Sequence, residues 1–164
     1  MSMLRLTFLL VCAAMLQACA WLQLGGAQEE SVDASLVNNE HAVQLLLAGR
    51  NLDPIEGTWE HDHDSFELVI ARNDFDIADE FDYVGVITRS DQPRWQPGDV
   101  KLLLRKTDVE GEYLGVWTTY NKSKRRMRFV ISDHDLIRAS FTGQDGNPYY
   151  VRIRRVGERV AHRL

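Results

Sequence analysis

From Gly57 onward the chain alternates apolar and polar residues with a period of two, and this pattern limits the fold more than any other feature. Phe66, Leu68 and Ile70 alternate with Glu67, Val69 and Ala71, and Val100, Leu102 and Leu104 with Lys101, Leu103 and Arg105. Met127, Phe129 and Ile131 alternate with Arg126, Arg128 and Val130, and Tyr149, Val151 and Ile153 with Tyr150, Arg152 and Arg154. Successive side chains of a strand point to opposite faces, so these runs read as half-buried strands with one core face. Turn-forming clusters such as Gln96-Pro97-Gly98-Asp99, Asn121-Lys122-Ser123-Lys124 and Gln144-Asp145-Gly146-Asn147-Pro148 separate them. The spacing predicts strands at 58–62, 65–72, 82–89, 99–107, 112–121, 126–132, 136–142 and 149–156. A mainly β fold follows: an antiparallel up-and-down barrel or a strongly curled meander of about eight strands. Ahead of this β domain (52–164), one short helix is predicted within 34–51, capped by Asp33, with Val37, Leu45 and Leu46 at apolar spacing and Gly49 as terminator.

The N-terminus carries an address. Arg5 precedes the apolar run 6–16, which ends in Leu16-Gln17-Ala18-Cys19. A cleaved secretory signal has the basic residue, the short apolar run and the small residue. A cysteine directly after Ala18 makes the segment resemble a bacterial lipobox. The run is shorter than the ~20 apolar residues of a spanning helix. The resemblance implies a lipoprotein signal peptide at 1–18, Cys19 as the lipidated residue, and the membrane as a partner through it. Ala20 in place of an aspartate implies, by similarity to Gram-negative lipoproteins, sorting to the outer membrane with the domain facing the periplasm. About 146 residues then remain, enough for one domain with one core. Cys12 leaves with the signal, so no disulfide is expected. Residues 19–33 read as a tether.

Charge is unevenly spread. Through Val100 there are 5 basic and 17 acidic residues, a net of −12; from Lys101 there are 14 basic and 7 acidic, a net of +7. Either the two parts complement each other in the fold, or the second presents a basic face to an anionic envelope partner. Arg126, Arg128, Arg138 and Arg152 are the candidates for that face. Nucleic acid is not expected as a partner of an envelope-anchored chain.

Ile55-Glu56-Gly57-Thr58-Trp59 opens the first strand with Gly-x-Trp, which resembles the start of lipocalins and related calycin barrels. In those folds the tryptophan plugs one barrel end against a basic residue from the last strand, a part that Arg152 or Arg154 is expected to take here. Thr118-Thr119-Tyr120 is faintly similar to a second lipocalin signature, with threonine in place of its aspartate. The segments around Trp59, Tyr83-Val84-Gly85 and Trp95-Gln96-Pro97 are also similar to small β domains of uncharacterised bacterial envelope proteins, which implies a fold and no activity.

Two clusters invite a metal. His61 and His63 alternate with Asp62 and Asp64, yet the sequence places no third ligand, and a solvated hairpin is the expectation. Asp74 and Asp76 open an acidic loop, but Ala78 stands where an EF-hand supplies an oxygen. Phe75, Ile77 and Phe81 predict that this loop folds back onto the body. No cofactor is expected, and no nucleophile–base set or phosphate loop is found, so the chain does not read as an enzyme. A lipid-anchored binding or scaffold domain is the leading reading. A lipocalin-like carrier of a small apolar ligand is the alternative, and an unrecognised hydrolase or metal-dependent enzyme the third. Trp59, Tyr83, Trp95, Tyr113, Trp117, Phe129 and Phe141 decide between the first two, according to whether they fill the barrel or line a cavity. Mass spectrometry of the native N-terminus is expected to show a lipid-modified Cys19; cleavage elsewhere with a free Cys19 thiol contradicts the lipobox resemblance.

Overall fold

The computed structural model describes residues 31–61, 65–75, 77–132, 135–143 and 146–156. Cys19, His63 and Asp76 lie outside them. Eight strands run in sequence order: β1 Gly57–His61, β2 Phe66–Arg72, β3 Tyr83–Ser90, β4 Val100–Lys106, β5 Glu112–Thr118, β6 Lys124–Ser132, β7 Leu136–Thr142 and β8 Pro148–Arg155. Each pairs antiparallel with the next, and β1 pairs with β8 through Trp59–Arg155, Glu60–Arg154 and His61–Ile153. The sheet is a closed barrel, consistent with the calycin-like architecture. Closure leaves no free strand edge.

Alternation puts one face of every strand inside. Trp59, Leu68, Ile70, Tyr83, Ile87, Leu102, Leu104, Tyr113, Met127, Phe129, Ile137, Val151 and Ile153 join one continuous core cluster. Trp59, Phe129, Ile137 and Ile153 expose 0 % of their surface. A ligand-sized void would leave exposed wall at such positions, so side chains fill the interior around them.

One predicted core residue faces the other way. Val100 packs outside, because a bulge between Gly85 and Val86 leaves Gly85 opposite Leu102 and Val86 opposite Val100. The unmatched Lys101 turns inward and is 2 % exposed. A bulge carries one extra residue and so reverses the parity of what precedes it.

The outer wall of β2 to β4 is itself covered. Asp33 caps only a single 3-10 turn, Ala34–Leu36, and the α-helix begins later, as α1 Glu40–Leu47, where Asn39 accepts from the Ala42 amide at 2.9 Å. Two strong cap residues in succession split the predicted helix. Val43 faces the sheet in place of Leu45, which is exposed. Val32, Val37, Val43, Leu46 and Leu47 pack over Val69, Val84, Val86 and Leu103 as a second apolar layer. Phe75, Ile77 and Phe81 complete it, so the acidic loop does fold back.

Trp59 is one of the largest fully buried side chains of the core. Trp59→Ala is expected to lower unfolding stability by about 3–5 kcal/mol, because truncating a buried aromatic leaves a cavity. Denaturant titration of the chain checks this; a loss below about 1 kcal/mol means the interior is not packed around the indole.

Candidate functional site

The barrel end at Trp59 is sealed from β8. Trp59 Nε1–H donates to the Ile55 carbonyl at 2.9 Å, and the Arg155 guanidinium lies 4.2 Å from the indole centroid. Arg155 Nη1 donates to the Glu56 carbonyl at 2.8 Å, and Nη2 donates to the Pro54 carbonyl. Gly57 has φ +135°, and a Cβ there would stand 2.5 Å from Arg155 Nη1. Glycine is therefore required by both backbone conformation and contact. The basic partner of Trp59 is Arg155, not Arg152 or Arg154. Those two share the outward parity of β8, whereas Arg155 continues the inward series of Val151 and Ile153. Burial pulls the Arg155 pKa below the ordinary guanidinium value, with Asp135 opposing.

A polar network caps the same end. The Glu56 side chain is fully buried and meets Arg50 Nη2 at 2.6 Å, the Asp53 amide at 2.9 Å and the Arg72 amide at 3.1 Å. Three donors satisfy a carboxylate that would otherwise be costly to bury. Tyr83 donates its hydroxyl to Asp53 Oδ2 at 2.6 Å, and Lys106 Nζ lies 3.2 Å from the same oxygen. The Tyr83 hydroxyl, helped by Lys106 and Arg72, holds the Asp53 carboxyl below its ordinary value, with burial opposing. Burial and the Asp53 carboxylate push the Tyr83 phenol well above the usual tyrosine range.

The opposite end is aromatic around a cation. Lys101 Nζ stands 4.0 Å from the Trp95 ring centroid, 4.7 Å from Trp117 and 5.0 Å from Phe66, and Lys122 Nζ is 4.0 Å from Trp95 on a second approach. His61 stacks on Phe66 at 5.1 Å. The seven aromatic candidates are thus brought together inside the barrel. Trp59, Tyr83, Trp95, Tyr113, Trp117 and Phe129 are buried in the core cluster, and half-buried Phe141 packs against it and stacks on Tyr149 at 5.2 Å. They fill the barrel.

Of the two clusters weighed as metal sites, only His61 and Asp74 lie among the described residues. His61 lies at the aromatic end, whereas Asp74 follows β2 at the other and lies 3.7 Å from Arg50. Among the described residues no three His, Cys, Asp or Glu side chains gather as a metal site.

The four arginine candidates do share a face. Arg126, Arg128, Arg138 and Arg152 are exposed on the outer wall of β6, β7 and β8, with Arg138 directly opposite Arg152. Arg128 pairs with Glu112. Among the described residues the other three form no ion pair.

A groove of about 600 Å³ opens where the outer apolar layer ends. Leu114, Gly115 and Val116 of β5 form its floor, Arg105 of β4 stands on one side, Arg126 and Arg128 of β6 on the other, and Glu80 and Phe81 of the 73–82 loop also line it. Leu114 is 45 % exposed, between Arg105 of β4 and Arg128 of β6. At Gly115 a Cβ would stand 2.2 Å from the Leu103 carbonyl oxygen, so β5 and β4 approach closely under the floor. Periodicity marks Leu114 and Val116 as outward residues of β5, and that parity was the one available signal. The groove needs the 73–82 loop folded over the outer wall; Phe75, Ile77 and Phe81 predict that it folds back, but not against which strand.

Comparison with known proteins gives no match to a family model, a curated protein or a solved structure.

The Asp53 carboxylate gives the barrel end a pH dependence. A carboxyl held below its unfolded value stabilises the fold above that unfolded value, about pH 4, and loses the contribution as pH falls through the folded value. Tyr83→Phe removes the leading cause of the depression. It is expected to cost about 1 kcal/mol at neutral pH, with allowance for the partly exposed carboxylate. The slope of stability between about pH 4 and pH 2 becomes shallower. Urea titrations of both forms across this range check it; an unchanged acid slope rules out the Tyr83–Asp53 bond as its origin.

Proposed function

We propose that this chain is a lipid-anchored envelope barrel that carries a small ligand on its outer wall, in the groove over β5. One observation carries the reading. The interior is filled by its own side chains, while about 600 Å³ of concave, apolar-floored space lies outside it. That volume falls within the usual range of small-molecule sites, which combine an apolar lining with a few placed polar groups. Arg105, Arg126 and Arg128 supply those groups. The anionic partner expected from the charge distribution becomes, in this reading, a small molecule and not a second protein. Lipidation at Cys19 places the domain at the membrane, where amphiphilic ligands are concentrated. The ligand is bound and released without chemical change.

An apolar anionic fluorophore, anilinonaphthalene sulfonate, tests the location. It is expected to bind the folded chain at one site, with Leu114→Asp weakening binding at least tenfold and the conservative interior change Phe129→Leu leaving it within twofold. Binding that depends on Phe129 and ignores Leu114 places the ligand in the interior instead and overturns the outer-wall reading.

A further inference from the structure

We propose that the ligand of the β5 groove is a single-chain amphiphile with an anionic head, seated with its chain along Leu114 and Val116 and its head on Arg126 and Arg105. The proposal rests on the outer-wall reading above and adds the chemistry of what is carried.

The width of the site argues for one chain. Arg105 pairs across β4–β5 with Leu114, which pairs across β5–β6 with Arg128, and Val116 pairs with Arg126. The apolar strip is therefore one strand wide between two arginine-bearing strands. Neighbouring strands lie about 4.8 Å apart, so the walls stand about 10 Å apart at the backbone. A single hydrocarbon chain fits that strip. The volume agrees: at about 30 Å³ for each water-sized atom, 600 Å³ holds roughly 20 heavy atoms. That is the size of a medium-length acyl chain with a compact head.

Charge selects the head. Arg105 and Arg126 line the groove and form no ion pair among the described residues, whereas Arg128 is already engaged by Glu112. Two guanidinium groups flanking an apolar floor offer charge-assisted hydrogen bonds to a carboxylate or a phosphate monoester, and little to a neutral glyceryl head. Glu80 is the carboxylate that lines the groove, and it forms no ion pair with either arginine among the described residues. It opposes a second anion and so favours heads of small charge and size. The shared ligand chemistry is one acyl or alkyl chain with a terminal carboxylate or phosphate monoester, which a free fatty acid and a lysophosphatidic acid both present.

The test titrates the full chain with laurate, dodecyl phosphate and monolaurin below their micelle concentrations, using displacement of the bound fluorophore. Laurate and dodecyl phosphate are expected to bind about tenfold more tightly than monolaurin. Arg105→Gln with Arg126→Gln is expected to erase that preference without changing monolaurin affinity, and Glu80→Gln to tighten the two anions several-fold. The ranking of laurate against dodecyl phosphate assigns the source as a free fatty acid or a lysophosphatidic acid. Equal affinity for all three, unaltered by the arginine substitutions, overturns the anionic head while the groove stands as an apolar site. Binding of none of them overturns both. Thermal melts of each variant, unchanged for these exposed positions, keep the comparison free of folding effects.

Discussion

The contact between Arg155 and Trp59 is the interaction on which the rest of the barrel depends. It joins the last strand to the first, and β1–β8 pairing is what turns a meander into a closed wall. The guanidinium covers the indole face and also caps the Pro54 and Glu56 carbonyls, so one side chain serves as cation–π partner and as donor to otherwise open backbone acceptors. Gly57 is the condition for this approach, since any side chain there would occupy the space of the guanidinium. The Gly-x-Trp pattern thus has a physical reading in this chain. It is the site at which the barrel closes.

Closure with large side chains decides which surface is left for a ligand. An eight-stranded barrel has room for its side chains or for one small ligand. Here Trp59, Tyr83, Tyr113, Trp117 and Phe129 take that room, and Lys101 with Trp95 seals the end away from Trp59. The outer wall then divides by what lies over it. The acidic part of the chain supplies α1 and the 73–82 loop, which cover β2 to β4, and the basic part supplies β5 to β8, whose outer wall carries no such layer among the described residues. The wall so divides into a cover and an exposed face that bears Arg126, Arg128, Arg138 and Arg152. The groove is the seam between them, with Phe81 from the cover and Leu114 from the open wall.

Much of this was legible in the sequence, and the exceptions share a cause. Strand number and order follow from alternation, and the meander follows from the short turns. Val100 and Lys101 escaped because a bulge shifts parity, and a bulge is set by the partner strand, not by the strand's own pattern. Arg155 was within reach: it lies two residues beyond Ile153, so counting parity selects it over Arg152 and Arg154. Asp33 was correctly a cap, but of a single turn, since Asn39 begins the helix proper. The four outer arginines were legible as a face because they alternate with core residues. The groove beside them was not, because it needs Arg105 of β4, Leu114 of β5 and Phe81 of a loop in one place. Only the register of three strands and the fold of that loop bring them together.

The central claim is that the inside of this barrel is core and its outer wall is the binding surface. Methyl-resolved NMR of the folded chain during titration with laurate tests it most directly, because leucine, valine and isoleucine methyls report both surfaces in one spectrum. The account predicts shifts at Leu114 and Val116, with Ile137, Ile153, Leu102 and Leu104 unmoved. Shifts concentrated on those four interior residues, with Leu114 and Val116 silent, would contradict it.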